Sequence, residues 1–578
     1  MAAAANSIAP RHPDPTRPAA PGASGFFCMR GAVRVGSWRR YLPALALVLA
    51  VVLLAACGAP AGGTGGEGGT GPSGLPADTL VWARGGDSVS LDPANVTDGE
   101  SLKVTHQIFD TLVEFKAGST EVEPWLATDW EVSDDGKVWT FHLRQGVKFH
   151  DGTPFNAEAV VFNFERWMKS DSPYRYEGEE FEYYAYMFGG FDDRSVIEKV
   201  EAVDPYTVRF TLREPLAPFL QNLAMPPFAI ASPEAIKKYG ADFGRHPVGT
   251  GPYKFVEWTP DQQITLEAFD GWWGEPKPRM KRIVYRAIKD NSARLAELKA
   301  GTIDVMEDPN PSELATVDTS QFAILYREAN NVGYLALNND KEPFNDVRVR
   351  QAIAHAINKE ELVQAFWGDL GQVAKNPMPP AMWGYNEAIQ DYEYNPEKAR
   401  ELLAQAGYPD GFETELWVMT VPRPYMPEPQ KIAEAIQQQL AQVGIRAEIV
   451  AHEWDLHLEK TGNGEHPMAL MGWIGDNGDP DNFLYVLLDK DNARAPGAGN
   501  ISFYRGEELH RLLIQAQRTP DQAQREPLYR QAQEIIHRDV PMIPLAHARS
   551  PIIVRQGVEG LVPSPLGSEK LHTVSVTR

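Results

Sequence analysis

Hydrophobic and polar positions alternate in several segments of the first half of the chain, and this pattern predicts β-strands. Residues 138–143 and 207–212 alternate with a period of two, which is typical of strands with one buried face. The turn-forming sequences Asp134-Asp135-Gly136 and Asp204-Pro205 come shortly before them. A first strand is predicted over residues 79–84. With the helices described next, these segments predict a mixed α/β fold in which strands and helices are interleaved.

The later part of the chain places apolar residues at helical spacing. Residues 344–367 carry an apolar stripe and predict one helix, with Asn345 or Asp346 as its N-cap. Residues 395–407 begin with an Asn-Pro pair and end with a glycine, so they contain both the start and the stop signal of a helix.

Two more helices are predicted towards the C-terminus. Residues 429–444 repeat the pattern of an initial proline, an apolar stripe and a final glycine. A strand is predicted directly after them, over residues 445–450. Thr519-Pro520 predicts the start of a last helix, which Pro527 is expected to kink or divide because proline lacks the backbone donor of a helix interior.

An apolar run near the N-terminus, residues 42–54, follows three arginines and ends in Leu-Ala-Ala-Cys. A basic region, a short apolar region and small residues before a cleavage point are typical of a secretory signal. The cysteine directly after Leu-Ala-Ala adds the pattern of a bacterial lipobox. We therefore expect residues 29–57 to be a lipoprotein signal and Cys57 to carry the acyl chains of a membrane anchor. The Gly-rich residues 58–78 are expected to form a flexible stalk.

One further feature supports this interpretation, and another fits it badly. The apolar run is shorter than the roughly 20 residues that a membrane-spanning helix needs. Residues 1–28 are rich in proline and alanine and precede the basic region, although a signal normally begins close to it. We therefore expect translation to begin at Met29, so that residues 1–28 would be an extension that precedes the true start.

Composition excludes several classes of function. The chain has 578 residues, which is too long for one hydrophobic core, so two or more domains are expected. Its net charge is −23, and no basic run follows the signal, which argues against binding to nucleic acid. The two cysteines are Cys28 and Cys57, so the mature domains have no disulfide, thiol nucleophile or cysteine-based metal site.

Motifs for catalysis and for metals fail on position or spacing. Residues 63–68 match G-x-G-x-x-G but lie in the stalk without a preceding strand. His452 and His457 are five residues apart, a rotation of about 140° on a helix, so they are interpreted as surface histidines that share no metal. Residues 476–481 are acidic but lack the order of a calcium loop. We expect no enzyme, no cofactor and no metal.

Residues 126–161 resemble the signature stretch of the family 5 solute-binding proteins, which deliver peptides and related solutes to ABC importers. Residues 247–253, 346–353 and 394–399 resemble further recurring segments of that family. The resemblance extends from about Thr79 to the C-terminus. It implies a periplasmic-binding-protein-like fold of type II, with two lobes joined by a hinge and an extra N-terminal insert domain.

Two segments, residues 420–427 and 471–483, are most similar to the dipeptide-binding members of the family. The resemblance implies that Asp476 holds the α-ammonium group of the ligand and that Arg423 holds its α-carboxylate. Met426 departs from the pattern, which usually has asparagine there. The weaker candidates for the pocket wall are Trp473, Gly475 and Tyr425.

The chemistry of these two residue types suits a zwitterionic ligand. A carboxylate is an acceptor-only partner for ammonium, and a guanidinium presents paired donors to a carboxylate. Two opposite charges at a fixed spacing would select peptides of one length. They would not discriminate between the side chains of the ligand. Judged from the residues alone, Asp476 is better interpreted as a turn residue and Arg423 as a solvated loop charge, and the resemblance reverses both interpretations.

The resemblance also implies a domain organisation and partners. Domain I is expected at residues 79–100, 248–330 and 546–578, domain II at residues 101–247, and domain III at residues 331–545. The protein is expected to be a monomer at the extracytoplasmic face of the cell membrane, in the periplasmic space if an outer membrane is present. It would deliver a dipeptide or short peptide to the permease and ATPase subunits of an ABC importer.

Three alternatives remain open at this point. The same scaffold carries oligopeptides, glutathione, haem, nickel chelates or sugars in other members of the family. A sensory lipoprotein would present its ligand to a receptor instead of a permease. A secreted hydrolase is disfavoured by the missing nucleophile motifs, but a carboxylate pair among 78 acidic residues stays possible.

Overall fold

The computed structural model describes residues 74–578. The predicted signal, Cys57 and most of the predicted stalk lie outside these residues, so what was expected of them stays a prediction. Strands and helices alternate along the described residues, which confirms the mixed α/β fold. Each helix within residues 74–578 is too short or too polar to cross a membrane.

The strands are mostly three to eight residues long. In chain order they are β1 (Thr79–Arg84), β2 (Val113–Phe115), β3 (Val122–Pro124), β4 (Ala127–Val132), β5 (Val138–Leu143), β6 (Ile197–Asp204), β7 (Thr207–Leu212), β8 (Tyr253–Thr259), β9 (Gln263–Ala268), β10 (Arg282–Ala287), β11 (Val305–Glu307), β12 (Phe322–Arg327), β13 (Asn331–Leu337), β14 (Gly371–Val373), β15 (Phe412–Met419), β16 (Ile445–His452), β17 (Met468–Ile474), β18 (Met542–Ala548), β19 (Ser550–Arg555), β20 (Val558–Glu559) and β21 (Ser575–Val576).

The α-helices range from one to five turns. In chain order they are α1 (Gly99–Ile108), α2 (Ala157–Met168), α3 (Glu182–Phe188), α4 (Phe219–Leu223), α5 (Pro233–Tyr239), α6 (Asn291–Ala300), α7 (Val347–Ala356), α8 (Lys359–Phe366), α9 (Pro396–Gln405), α10 (Pro429–Ala441), α11 (Trp454–Gly462), α12 (Asp481–Leu488), α13 (Glu507–Arg518) and α14 (Gln522–Asp539).

Two large sheets form the centres of two lobes. The first lobe contains seven strands in the order β12-β19-β11-β1-β10-β9-β8, and the second contains six in the order β14-β18-β13-β17-β15-β16. In the first sheet, β1 is buried along its whole length and runs parallel to β10 and β11. In the second, β15 runs parallel to β16 and β17. Several strands of each sheet therefore end at the same edge.

The chain crosses between the two lobes at two adjacent places. β12 ends at Arg327 and β13 begins at Asn331, while β18 ends at Ala548 and β19 begins at Ser550. The Asn331 side chain joins the two crossings, because its Nδ2 donates to the Ala548 carbonyl at 2.7 Å and its Oδ1 accepts from the Ala548 amide at 3.0 Å. Two short crossings held side by side are the usual geometry of a hinge.

A separate antiparallel sheet, in the order β4-β5-β7-β6, lies in residues 127–212. Its core is aromatic: Phe210 contacts Phe141, Phe164 and Phe219 with ring centroids 4.8–5.6 Å apart. We call residues 127–212 the insert. Its helix α3 packs against the aromatic core through Phe188, whose ring lies 6.0 Å from that of Phe219. The domain limits given above stay a prediction.

The local predictions succeed where capping chemistry is clear. The strands at 79–84, 138–143 and 207–212 are confirmed. Asn395 caps α9 by accepting from the Lys398 amide, and the helix stops just before Gly407, whose φ is +97°. Asp346 is the N-cap of α7.

Two helix predictions are wrong in detail. The single helix over residues 344–367 is two helices, α7 and α8, because Asn358 breaks the first and caps the second by accepting from the Glu361 amide. The last helix begins at Gln522 with Asp521 as its cap, rather than at Thr519-Pro520, and Pro527 lies within it without dividing it.

Candidate functional site

One cavity of about 920 Å³ lies where loops of both lobes meet the insert. The first lobe contributes the start of α1, the second contributes the loops after β15 and β17, and the insert contributes α3. This volume is near the upper end of the range that small-molecule sites occupy, roughly 300–1,000 Å³. Of the five residues predicted for the site, four line this cavity: Asp476, Arg423, Trp473 and Tyr425.

The topology of the second sheet explains why Arg423 and Asp476 face the same cavity. Arg423 follows β15 and Asp476 follows β17, and these neighbouring strands are parallel. Their carboxyl ends therefore lie at one edge of the sheet, where ligands of α/β proteins bind. The two residues are 53 positions apart in the sequence, and strand pairing places them in one site.

Arg423 lies in a closed turn that presents its guanidinium to the cavity. Its amide donates to the Met426 carbonyl at 3.0 Å, and the Met426 amide donates back at 2.9 Å. The guanidinium lies over the Trp454 ring at 4.0 Å and donates from Nη1 to Glu100 Oε1 at 2.7 Å. Its Nε and Nη2 are buried and have no hydrogen-bond partner among residues 74–578. Two donors along one edge of the planar guanidinium are therefore able to bind an oxyanion.

Glu100 belongs to a buried charge network of the first lobe. Its carboxylate lies 3.7 Å from Arg84 Nη1 and 3.8 Å from Lys103 Nζ. Lys103 in turn pairs with Glu307 at 2.5 Å, and Arg327 pairs with Glu307 at 2.6 Å. Although burial opposes ionisation, these two cations lower the pKa of Glu307 to about 2. The first lobe therefore holds a fixed carboxylate, Glu100, against the guanidinium of the second lobe.

The Asp476 carboxylate is half-buried at the cavity wall and forms no ion pair with any described residue. Asn482 fixes it from both sides: Oδ1 accepts from the Asp476 amide at 2.9 Å, and Nδ2 donates to the carboxylate at 3.3 Å. Burial raises the pKa of Asp476 to about 7, and hydrogen bonds from Tyr183 and Asn482 partly oppose this effect. A cationic ligand group beside it would favour the ionised form.

The other predicted residues differ in where they lie. Trp473 donates from its indole nitrogen to Asn482 Oδ1 at 2.9 Å and faces the Tyr183 ring at 6.1 Å. Tyr425 is buried, and its ring lies so close to Gly472 that a side chain there would clash. Gly475 does not line the cavity, since its amide and carbonyl are both bonded to Asn330 and its Cα faces Phe483.

Three sequence interpretations are refined by the contacts. Met426 is fully buried and does not line the cavity. The prediction that His457 is a surface residue is wrong: it is fully buried with Nε2 3.0 Å from the Leu470 carbonyl, and burial lowers its pKa to about 4. Within the acidic segment 476–481, two carboxylates are bound by other side chains. Asp479 pairs with Arg525 at 2.7 Å, and Asp481 accepts from Gln517 at 3.0 Å.

Sequence reasoning missed Glu100, Trp454 and Glu182, which all line the cavity. They come from the first lobe, the second lobe and the insert, and no motif or periodicity joins them. Asn482 is different, since it lies within the segment 471–483 that carries the resemblance. An amide a few residues after a candidate carboxylate is a signal that could have identified it as a positioning residue.

The chain is similar to known proteins over most of its length. The model of the bacterial extracellular solute-binding proteins, family 5 (Middle), matches residues 121–495. The dipeptide-binding protein of Escherichia coli (strain K12) is 40% identical over 514 residues, which cover 86% of this chain and 95% of that protein. Heme-binding protein A of Haemophilus influenzae is 38% identical over 545 residues, which cover 92% and 98%.

A solved structure shows the same fold. The ABC transporter-associated periplasmic binding protein DppA from Helicobacter pylori, in complex with the peptide STSA, superposes with a TM-score of 0.82 and 41% sequence identity. The match covers 86% of this chain and 98% of that one. These similarities confirm the two-lobed, type II fold with an N-terminal insert that the sequence predicts.

Proposed function

The chain belongs to the bacterial extracellular solute-binding proteins of family 5, and we propose that it captures dipeptides or other short peptides between its lobes and delivers them to an ABC importer. The observation that carries the proposal is a pair of opposite charges on one cavity wall. Arg423 has two unpaired donors, and Asp476 has a carboxylate without an ion-pair partner among the described residues. A free peptide has one ammonium and one carboxylate to match them.

The energetics of this pairing favour a ligand with both termini free. Asp476 has no cationic partner among the described residues, and two buried donors of Arg423 have no acceptor, although its guanidinium also pairs with Glu100. Such unpaired buried groups are costly, and a ligand that supplies their partners removes that cost. Losing one partner of a buried charged pair typically costs ~2–5 kcal/mol in binding. Blocking either end of the peptide should therefore weaken binding strongly, whereas changing an apolar side chain should matter less.

We propose that the lobes close when a ligand binds and that the permease recognises the closed form. Arg423 of the second lobe already contacts Glu100 of the first across the cavity, so the ligand carboxylate would join an existing contact between lobes. Domain closure around a ligand at a two-strand hinge is a common form of such signalling. The domain limits proposed are residues 79–100, 248–330 and 546–578, residues 101–247, and residues 331–545.

The anchor and the location are proposed from the lipobox. The sequence Leu54-Ala55-Ala56-Cys57 supports acylation of Cys57 and attachment to the outer face of the cell membrane. The partners would be the permease and ATPase subunits of the importer, with the binding protein acting as a monomer. No chemical step on the ligand is proposed.

A longer peptide is the second candidate cargo. The cavity of about 920 Å³ exceeds what two small residues fill, and the Helicobacter pylori relative is described with the four-residue peptide STSA. The similarity to Heme-binding protein A keeps haem as a third cargo to be tested. Both alternatives keep the fold and the role in uptake and change only the ligand.

Calorimetric titration distinguishes these cargoes. The protein from residue 58 onward would be titrated with Ala-Ala, N-acetyl-Ala-Ala, Ala-Ala amide, the peptide STSA and haem. Tight binding of Ala-Ala and loss of binding with either blocked form would support anchoring at both ends. Preference for STSA would move the cargo to longer peptides, and binding of haem alone would reject peptide capture.

A further inference from the structure

Glu182, the first residue of α3, is a further carboxylate at the cavity wall that the two peptide anchors do not use. Its side chain is half-buried and lines the cavity. No lysine, arginine or histidine among residues 74–578 lies within ion-pairing distance of it. Thr97 hydrogen-bonds to it, and the nearby charge of Glu180 makes its surroundings more negative. Glu182 is therefore a half-buried carboxyl group without a cationic partner among the described residues.

The contacts of α3 place Glu182 in the same cavity as the proposed ammonium site and next in sequence to a residue that contacts it. Tyr183, the next residue, hydrogen-bonds to Asp476 and faces Trp473. One turn later, Tyr186 donates to the Gly497 carbonyl at 2.7 Å and fixes the helix against the second lobe. A Cβ atom at Gly497 would lie 2.4 Å from Glu182 Oε1, so the glycine leaves room for the carboxylate.

Charge accounting indicates what Glu182 would bind. A zwitterionic dipeptide brings one cation for Asp476 and one anion for Arg423, which leaves Glu182 without a cation. Asp98, a buried carboxyl group that also lines the cavity, differs because it accepts a hydrogen bond from the Ser101 amide and lies near the charge of Arg423. Burial raises the pKa of Glu182 to about 7, so the group is ionised in slightly alkaline solution. The unpaired donors of Arg423, which is 6% exposed, are an independent sign that this cavity is built for a charged ligand.

We infer that Glu182 forms a second anionic subsite, which binds the side-chain cation of the ligand's first residue. The preferred cargo would then be a short peptide that begins with lysine, arginine or a similar basic residue. The first residue is the one concerned, because its α-ammonium group lies at Asp476 and its side chain starts next to α3. This inference rests on the proposed function and adds a ligand class to it.

The test compares two ligands that differ only in charge. Lys-Ala and norleucine-Ala (Nle-Ala) have side chains of nearly the same length, and only lysine carries an ammonium group. At pH 8, calorimetry of the wild-type protein should show Lys-Ala binding about tenfold more tightly or better, as expected for a partly desolvated charge pair. Ala-Lys and Ala-Nle should bind with similar affinity, because the second side chain does not reach Glu182.

Substitution of the carboxylate should remove the preference without removing binding. Glu182→Gln is expected to bind Lys-Ala and Nle-Ala within about threefold of each other, while Nle-Ala binds as it does to the wild type. Glu182→Asp keeps the charge and should retain part of the preference. Glu177→Gln, at an exposed residue that does not line the cavity, is the matched control and should retain all of it.

The outcomes separate this inference from the proposed function. Equal affinity of wild-type protein for Lys-Ala and Nle-Ala, or a lysine preference that survives in Glu182→Gln, would overturn the second subsite and leave dipeptide capture intact. If Ala-Lys bound more tightly than Ala-Nle by the same factor as Lys-Ala over Nle-Ala, the assignment of the subsite to the first residue of the ligand would be wrong. Failure of every dipeptide to bind the wild type would overturn the proposed function itself. If Glu182→Gln does not fold, Glu182→Asp provides the test, because a lysine preference as large as that of the wild type in this variant would overturn the assignment to Glu182.

Discussion

Arg423 and Glu100 form a buried ion pair of 2.7 Å between the two lobes. Their carboxylate and guanidinium come from residues 323 positions apart, one at the start of α1 and the other in the turn after β15. The same guanidinium has two further donors that no described residue uses. The contact between lobes and the proposed contact with the ligand therefore share one side chain, which would couple closure of the lobes to occupancy of the site.

The first prediction concerns Asp476. Asp476→Asn keeps the shape of the side chain and removes its charge, so binding of Ala-Ala should weaken by at least about tenfold. The substitution should also reduce the difference between Ala-Ala and N-acetyl-Ala-Ala, because the discriminating charge is gone. Calorimetry of both ligands measures this. Asp410→Asn, at an exposed residue that does not line the cavity, is the control and should behave as the wild type. Unchanged affinity of Asp476→Asn for Ala-Ala would show that Asp476 does not bind the ammonium group.

Arg423 gives the second prediction. Arg423→Lys keeps a positive charge but loses the paired donors and the planar contact with Trp454, so affinity for Ala-Ala should fall by about tenfold or more. Ala-Ala amide, which lacks the carboxylate, should be affected much less. The exposed Arg511→Lys is the control. A variant Arg423→Lys that binds Ala-Ala normally would show that bidentate recognition of the carboxylate is absent.

Features of the fold that depend on neighbouring residues can be predicted from the sequence, whereas features of the site that depend on long-range contacts cannot. The Asn395 cap and the alternation of β5 depend on neighbouring residues, so the sequence predicts them with correct bounds or nearly so. Asn358 ends a helix that the apolar stripe alone would continue, since its capping bond competes with the helix. The roles of Glu100 and Glu182 depend on contacts between separate lobes and the insert, which no local pattern encodes.

A third prediction follows from the pKa of Asp476, which burial raises to about 7. The carboxylate must be ionised to bind ammonium, so affinity for Ala-Ala should fall as the pH drops from 8 to 5.5. At pH 7, binding should release protons, because the ligand favours the ionised form. Titrations in two buffers of different ionisation enthalpy measure that release, and Asp476→Asn should show less of it. Glu182, with a pKa of about 7, and the neighbouring Asp98, whose pKa burial also raises, contribute to the remainder.

The free energy of unfolding should change with pH in the direction opposite to that caused by an ion-paired carboxylate. Ion pairing lowers the pKa of a carboxyl group, whereas burial raises that of Asp476. The folded protein holds a proton on Asp476 between about pH 4 and 7, where the unfolded chain has released it. In the absence of ligand, the free energy of unfolding should therefore fall as the pH rises through this window. Asp476→Asn should flatten that part of the pH profile in urea unfolding. A profile identical to that of the wild type would mean that Asp476 ionises at its ordinary pKa.

The last prediction concerns the support of the ligand loop by Arg525. Its guanidinium binds both oxygens of Asp479 at 2.7 Å and lies over the Trp383 ring at 5.0 Å, and Asp479 is three residues after Asp476 in the same loop. Arg525→Met leaves the Asp479 carboxylate buried without its partner, so the free energy of unfolding should drop by about 3–5 kcal/mol. Arg530→Met, on the same helix α14, removes only an exposed pair with Glu526 and should cost less than about 1 kcal/mol. Urea unfolding of both variants measures the difference. Equal costs would mean that the loop carrying Asp476 is held by its backbone rather than by the Arg525 pair.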